Sequence, residues 1–562
     1  MDTTIVTTPP RAARLKWAVL IALCAGQFVM VLDSTVMNVS IQRVIEDLDT
    51  NVATMQLAIA TYTLTTAALM LIGGKLGDII GRRLAFRIGL VVFGAGALIT
   101  SLSQSIGILI LGWSILEAVG AALMVPAILA LIVANYQGAD RVIALGAIGG
   151  IAGAAAAAGP MIGGWVATVG SWRDVFAAEA VIMVCLLGTS RVIADAPLGR
   201  ARPRLDVVGA AISATGLALA VLGVVQSSTW GWVQSKHPPM VGGTAVEPFG
   251  LSVVPFLIVA GLVLLAVFVL WERHLSAAGG DTLVNLTMLR IRRLRAGLGT
   301  VAVMFLCLGG IFFLMPLYLQ IVLGETPLET GVHLLPMSLT VLVVALGASR
   351  LATRVPPRRL VRLGFLCIAV GSGFLSLAID AHLRGLLFAG SVLVVGIGLG
   401  LIGSQVSNIN LGTATPDKTS ETGALQGTAQ NLGAALGTAL IGSILLSFLT
   451  ATFDHRVEGD RSLPAAARQE IRQRTSAGLA FIPAGVAGEK LRERRVPKPI
   501  VAQLEADYAQ SQVDALKIGV AGVALFALLG LVGVTRGLPA GPLRVTARAA
   551  VAADPVPVGG AP

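Results

Sequence analysis

Three acidic residues of this 562-residue chain lie deep inside long apolar runs. Asp33 is in the middle of the first run, Glu117 is in the fourth and Glu179 is in the sixth. If these runs cross a membrane, an ionised carboxylate at a helix centre costs roughly 2.5–3.5 kcal/mol, so each acid should face a polar cavity or a partner. A carboxyl group at that depth can load a proton from one side and release it on the other. We expect proton coupling at Asp33 and Glu117.

These acids have alternative roles. Asp33 could instead only hydrogen-bond Thr35 or Asn38 in its own helix. Glu117 and Glu179 could attract a cationic substrate or share the proton of Asp33, and Glu179 could also lie near the membrane surface. We place Glu179 among the candidates for a substrate cavity.

Other polar and aromatic residues of the apolar runs are further candidates for lining that cavity. Tyr62 and Trp113 offer surfaces for stacking with aromatic or cationic ligands, or they only fill the helix packing. The side-chain amides can bind a ligand, or they can join helices at only about 0.6 kcal/mol each. The candidate amides are those of Asn38, Gln320, Gln405, Asn408, Gln430 and Asn431.

Two glycine-rich segments could serve as points of close helix packing and bending. Residues 74–83 combine Gly74 and Gly81 with Asp78, Arg82 and Arg83. The glycines allow a tight turn and close helix approach, and a carboxylate is favoured at the N-terminus of a neighbouring helix. We expect a latch here, because a simple surplus of positive charge explains the arginines but not the acid.

The second glycine-rich segment contains Gly159, Pro160, Gly163 and Gly164. Its small residues permit backbone-to-backbone helix packing, and the proline bends the helix. The segment either only packs or seals the cavity against proton leak while the protein moves.

No residue pattern indicates chemistry on a substrate. The chain has no Walker A motif and no pattern of nucleophile and base, and its five histidines lack metal-binding spacing. The four cysteines lie in apolar runs and are expected to be small buried hydrophobic residues. We therefore predict that the protein is not an enzyme, needs no metal and no cofactor, and uses an ion gradient. A proton needs only a carboxyl group, whereas sodium usually needs several oxygens.

The composition identifies the elements that must position these residues. Hydrophobic residues make up 55% of the chain and charged residues 13%, about half of the roughly 25% found in soluble proteins. The composition excludes an ordinary soluble enzyme, a secreted disulfide scaffold and a disordered chain. Because a membrane helix needs about 20 apolar residues, we count fourteen spans in an all-α polytopic membrane protein. They are 17–40, 53–73, 84–104, 106–134, 142–168, 172–194, 207–227, 251–271, 296–320, 329–349, 360–380, 384–411, 420–449 and 513–535.

The net charge of +11 reflects basic residues in short loops, which sets the orientation of a membrane protein. The surplus predicts that both termini are cytoplasmic. We expect a lipid bilayer and a small-molecule substrate as partners, no nucleic acid, and a monomer. In the long outside loop 450–512, residues 464–480 and 499–512 are predicted to form short surface helices.

Five motifs of the chain resemble the major facilitator superfamily, and within it the fourteen-span family of drug:proton antiporters. The resemblance covers nearly the whole chain. It implies two six-helix halves with two extra central helices, and export rather than import. It also implies that Asp78 meets the helix that starts near Thr419. The motifs are 74–83, Gly159–Trp165 with its GPxxGG pattern, Leu32–Val39, Leu205–Gly209 and Gly423–Gly433.

The chain departs from the family pattern in the fourth span. Where the family commonly has an arginine and a glutamine, this sequence has Ser114 and Glu117, so the proton route at this helix differs. Leu57 replaces a frequent tryptophan before Tyr62.

The resemblance leads to an expected domain order and function. The domains are an N-tail (1–16), an N-terminal half (17–194), a linker with the extra helices (195–295), a C-terminal half (296–535) and a disordered C-tail (536–562). We expect proton-driven efflux of amphipathic drugs, cationic ones among them, across a bacterial cytoplasmic membrane. The alternatives are a dedicated exporter of one metabolite, lipid or antibiotic, and a non-transporting membrane scaffold or sensor.

Overall fold

A computed structural model of the chain describes most of its residues. At several positions, among them 10–16 and many of those between 138 and 157, only the backbone is described. The described residues are 10–136, 138–195, 204–236, 238–241, 244–351, 355–411, 419–460, 468, 469, 471, 475, 478–493, 496–533, 535–538 and 541.

The described residues fold almost entirely into helices. Two two-residue strands, β1 (Met240–Val241) and β2 (Thr244–Ala245), pair antiparallel. The helices are α1 (Pro10–Val39), α2 (Ile41–Asp47), α3 (Val52–Ile80), α4 (Arg82–Ser101), α5 (Ile106–Asn135), α6 (Gly138–Val169), α7 (Trp172–Thr189), α8 (Val207–Trp230), α9 (Val254–Ala277), α10 (Arg292–Val322), α11 (Pro327–Leu351), α12 (Pro357–Ala378), α13 (Gly385–Leu411), α14 (Thr419–Gly459), α15 (Ala484–Glu493) and α16 (Lys498–Gly533).

The helices match the predicted apolar runs. Among the described residues, 13 helices are long and apolar enough to cross a membrane. Helix α6 covers the remaining predicted run, 142–168. An all-helical membrane fold is therefore confirmed, while the count of fourteen spans and the cytoplasmic termini stay predictions.

Polar side chains define where several membrane helices begin. Asn51 caps α3, since its side-chain oxygen accepts a hydrogen bond from the Thr54 amide. Ser171 and Asp174 form a capping box at the start of α7. Each cap satisfies backbone amides that have no partner within the helix.

Two pairs of helices join the predicted halves. Helix α3 packs along α14, and α6 packs along α11. At the first contact the Gln56 amide donates to the Ala439 carbonyl at 3.0 Å. At the second, a Cβ on Gly331 would lie 2.3 Å from the Pro160 carbonyl oxygen, so only glycine allows this approach. These two seams hold the N-terminal helices against the C-terminal ones.

The extra helices α8 and α9 form a hairpin that covers the α3–α14 seam. Helix α8 packs against both α3 and α14. The Ser227 and Ser443 hydroxyls are 2.7 Å apart, and Val221 and Val225 belong to one buried cluster with Ala60 of α3 and Ala439 of α14. The hairpin therefore contacts both predicted halves.

The structure corrects the prediction for the long loop 450–512. Residues 499–512 are not a separate surface helix, because they form the first part of α16, and α14 continues beyond the predicted span end to Gly459. A short helix, α15, lies between them and is tied to α16 by an Arg492–Glu505 ion pair of 3.0 Å. Most of the predicted helix 464–480, including Pro464, lies outside the described residues.

The C-tail starts with packed residues. Thr535–Gly537 form a turn of 3₁₀ helix, and Leu538 is buried. Positions 536–538 of the predicted disordered tail are therefore ordered. From 539 onward only position 541 belongs to the described residues, so the prediction for the rest of the tail lies outside them.

The packing of α10 predicts a difference between two phenylalanines. Phe313 of α10 is fully buried, whereas Phe374 of α12 is 49% exposed on a helix of the same predicted half. Phe313→Ala should destabilise the protein by about 3–5 kcal/mol through lost contacts and a cavity, and Phe374→Ala by much less, since detergent or lipid fills its place. Thermal unfolding of both variants in the same detergent measures this difference. Equal melting temperatures would contradict the packing described here.

Candidate functional site

Three carboxyl groups meet in the interior of the N-terminal helices. Asp33 comes from α1, Glu117 from α5 and Glu179 from α7, and all three side chains are buried. One oxygen of each lies within 4.8 Å of the corresponding oxygens of the other two. We call Asp33, Glu117 and Glu179 the acidic triad.

Two aromatic side chains cover Asp33. Trp113 Nε1 donates a hydrogen bond of 2.8 Å to Asp33 Oδ1. Tyr62 stacks on Trp113 with ring centroids 4.9 Å apart and an interplanar angle of 13°. Both rings are buried, so in this conformation they stack on each other and leave no face for a ligand.

The helix that carries Trp113 and Glu117 has a π-helical segment, Ile110–Glu117. Such segments are frequent at functional sites, because they change which side chains face inward. Close contact with α4 accompanies this geometry: a Cβ on Gly96 would lie 2.7 Å from Glu117 Cγ. Thr100 of α4 donates a hydrogen bond of 2.8 Å to Glu117 Oε1.

Basic partners are missing from the triad in the part of the chain that the structure describes. Ser114, which stands where the family pattern has an arginine, is buried and donates to the Ala58 carbonyl. Asp33 Oδ2, Glu117 Oε2 and both oxygens of Glu179 are buried without a hydrogen-bond partner. Neighbouring carboxylates disfavour each other's charge, and burial disfavours any charge. The triad can therefore hold protons, or it can offer three oxygens to a cation.

The Gly159–Gly164 segment brings α6 against the helix that carries Asp33. A Cβ on Gly159 would lie 1.8 Å from Thr35 Oγ1, and one on Gly163 would lie 2.9 Å from Val36. Gly164 faces the carbonyl of Pro327 in α11 in the same way. The Thr35 hydroxyl donates to the Leu32 carbonyl, not to Asp33.

Residues 74–83 are helical except for Gly81, since α3 ends at Ile80 and α4 begins at Arg82. Asp78, near the end of α3, forms an ion pair of 3.0 Å with Arg82. The Arg83 guanidinium donates to the Arg191 carbonyl, and its amide donates to Asp195 at the end of the N-terminal helices. Gly81 has a φ of 101°, which favours glycine.

The predicted partner of Asp78 lies in the other half. The side chain of Thr419 lies outside the described residues, so the latch to α14 stays a prediction. Gly74 does lie against α14, with a Cβ position 3.4 Å from that of Ala424.

Comparison with known proteins agrees with this architecture. The sequence model of the protein family described as the Major Facilitator Superfamily matches residues 23–204 and 238–438. The chain belongs to the major facilitator superfamily. It is a multi-pass membrane protein of a transporter family and not an enzyme.

Curated proteins similar to the chain include a probable antibiotic transporter and an antibiotic resistance protein. The probable actinorhodin transporter of Streptomyces coelicolor is 29% identical over 83% of this chain and 79% of its own length. The puromycin resistance protein pur8 of Streptomyces alboniger is 31% identical, over 76% of this chain and 82% of its own length. A solved structure of a bacterial homologue of the human lysosomal transporter Spinster has a TM-score of 0.57, covers 95% of this chain and 98% of its own, and is 12% identical. This last likeness shows the fold alone.

Four of the other predicted cavity residues form hydrogen bonds outside the acidic triad: Asn38, Gln320, Gln405 and Asn431. The Gln320 amide donates to the Val39 carbonyl at 2.7 Å, which links α10 to α1. Three other side-chain amides donate to backbone carbonyls. Asn38 and Asn431 donate within their own helices, to Ser34 and Gly427, and Gln405 donates to Ala348 of α11. Gln430 is half-buried, and the side chain of Asn408 lies outside the described residues.

Sequence reasoning missed Thr100, because a single threonine in an apolar run has no distinctive signal. The sequence signal available was the spacing of Gly96 and Thr100, which puts both on one face of α4. The structure shows that this face meets the fourth span. The convergence of Glu179 with Asp33 needed the packing of α1 against α7.

The close contact at Gly159 gives a testable prediction. Gly159→Ala places a methyl group against Thr35, which lies two residues after Asp33 in α1. Because α1 must move to make room, we expect the variant to lose about 1–3 kcal/mol of folding free energy. We expect a lower melting temperature and weaker transport. Gly188→Ala is the matched control, because nothing lies within 4 Å of its Cβ position.

The second-site variant Gly159→Ala/Thr35→Gly tests the physical reason for that effect. It should recover transport relative to Gly159→Ala alone, because it removes the hydroxyl and methyl groups that the new methyl group meets. Two independent, additive losses would contradict the contact.

Proposed function

We propose that the protein exports amphipathic, cationic compounds across the bacterial cytoplasmic membrane in exchange for protons. The observation that carries this proposal is the acidic triad: three buried carboxyl groups with four unpartnered oxygens and no basic partner among the described residues. A structural ion pair would include a cation, and a purely structural polar network would satisfy its oxygens.

The exchange follows from the chemistry of the triad. When the site is closed to water, the carboxyl groups are most stable with bound protons, since three neighbouring charges cannot share a dry site. When the site opens to the cytoplasm, protons leave and a cationic substrate replaces their charge. Trp113 holds Asp33 in place, and separation of the Tyr62–Trp113 stack would offer an aromatic face to the cation.

The direction of transport is supported by the relatives. The tetracenomycin C resistance and export protein of Streptomyces glaucescens is 28% identical over 79% of this chain. The multidrug resistance protein Stp of Mycobacterium tuberculosis is 24% identical over 92% of this chain. Export by rocking of two halves around the site agrees with the two seams, α3–α14 and α6–α11.

A second candidate is a dedicated exporter of one antibiotic or other metabolite. It is favoured by relatives named for a single compound, such as actinorhodin or tetracenomycin C. A panel that includes puromycin, tetraphenylphosphonium, ethidium and a neutral antibiotic distinguishes the two. Several unrelated active compounds support multidrug export, and a single one supports the dedicated exporter.

The test of proton exchange uses inside-out vesicles with an acidic interior. Compounds of the panel are added, and a pH-sensitive dye follows the interior. Wild type should release protons when a substrate is added, and Asp33→Asn should not, although the asparagine oxygen still accepts the Trp113 hydrogen bond. Glu117→Gln should reduce the release, because it removes a second carboxyl group and keeps the acceptor for Thr100.

Controls separate this mechanism from its alternatives. Glu247→Gln neutralises an exposed acid between α8 and α9 and should behave as wild type. Proton release by Asp33→Asn at the wild-type rate would remove Asp33 from the mechanism. Substrate uptake driven by a sodium gradient without a pH change would replace the proton by sodium as the coupling ion.

A further inference from the structure

The segment between the extra hairpin and α10 contacts both predicted halves at one end of the molecule. It comprises residues 281–286, which we call the crossbar. It lies at the end that carries the 74–83 loop, which the charge distribution predicts to be cytoplasmic.

The crossbar is attached to the N-terminal helices through α3. Lys75 Nζ donates a hydrogen bond of 3.0 Å to the Thr282 carbonyl. Leu283 and Val284 are buried, and Leu71 and Ile72 of α3 pack against their cluster. Lys75 belongs to the 74–83 motif.

The same six residues are attached to the C-terminal helices through α14. The backbone N–H of Asn285 donates a hydrogen bond of 2.6 Å to Glu421 Oε1, in the first turn of α14. Leu425 of α14 is a buried member of the cluster around Leu283, and Leu298 of α10 packs against it.

The hairpin itself fixes the shape of the crossbar. Glu272, near the end of α9, is fully buried and accepts hydrogen bonds from the Leu283 and Val284 amides at 3.1 and 3.4 Å. Asp281 accepts a further bond from the Arg204 amide, close to the start of α8. A buried carboxylate with two backbone donors holds an extended segment in one conformation.

These contacts have a consequence for a transporter whose halves rock. When the site opens at this end, the ends of α3 and α14 separate, so the crossbar cannot keep both attachments. It is continuous with α10 through the buried Met288, and Glu421 binds its backbone directly. Among the described residues, its polar attachment to α3 is the bond from the half-buried, flexible Lys75 side chain.

We infer that the crossbar acts as a gate in the transport cycle. It stays bound to the C-terminal helices and loses its hydrogen bond with Lys75 when this end of the protein opens. Lys75 and Glu421 are then positioning residues that decide how long this end stays closed. This inference rests on the proposed function only for its timing in the cycle, because the contacts themselves are independent of the substrate.

The experiment uses two cysteine pairs in the full chain, with Cys24, Cys185, Cys307 and Cys367 replaced by serine or alanine. The first pair, Lys75→Cys/Thr282→Cys, links the crossbar to α3. The second, Asn285→Cys/Glu421→Cys, links it to α14. A short, reducible bis-thiosulfonate reagent joins each pair in vesicles, and the transport of each linked variant is compared with that of the same variant after reduction.

We expect the two links to differ. The α14 pair should link to the same extent with and without puromycin and at all pH values. Its link should leave the transport rate within about twofold of that of the reduced form, well below a tenfold effect, which corresponds to ~1.4 kcal/mol. The α3 pair should link to an extent that changes with puromycin or pH, and its link should stop transport until a thiol reductant restores it.

Several outcomes would overturn the inference. A link to α14 that blocks transport, together with a harmless link to α3, would show that the crossbar moves with the N-terminal helices. Two harmless links would show that it is not a gate. Absence of transport in the reduced and wild-type proteins would count against the proposed function, whereas state-independent linking of both pairs would count against the crossbar.

Discussion

Burial of three carboxyl groups, with no basic side chain beside them in the described part of the chain, is the constraint on which the rest of this structure depends. Asp33, Glu117 and Glu179 come from three helices and are almost completely shielded from solvent. In an apolar interior such a group is tolerated only if it binds a proton, a donor or a ligand. Trp113 and Thr100 each supply one donor, and four oxygens are left over. Those oxygens are the reason to connect the site with the movement of ions.

The small residues around the triad show how the chain positions it. Gly96 lets α4 approach Glu117, and Gly159 lets α6 approach Thr35, two residues from Asp33. The same segment of α6 continues into the contact with α11. Movement at the α6–α11 seam is therefore mechanically close to the acidic site. This closeness gives a physical route by which occupancy of the triad can alter the packing of the two halves.

The sequence predicted those features that depend on local composition. Length and hydropathy located the membrane helices, and a charge in the middle of an apolar run identified Asp33, Glu117 and Glu179 one by one. Features that depend on packing were not predictable in this way. The π-helical segment at Trp113 has no sequence signal, and residues 499–512 are polar enough to resemble a surface helix although they continue into α16. The contacts of Lys75 and Glu421 with residues 281–286 join segments far apart in the chain.

The most direct test of the account is the number of protons released when the purified protein binds a permanently charged cation. Tetraphenylphosphonium has no titratable group, so any proton must come from the protein. Calorimetric titrations at one pH in two buffers with different ionisation enthalpies give that number. The account predicts proton release on binding by wild type and a smaller release by Asp33→Asn. Binding of the cation to wild type with no exchange of protons would contradict it.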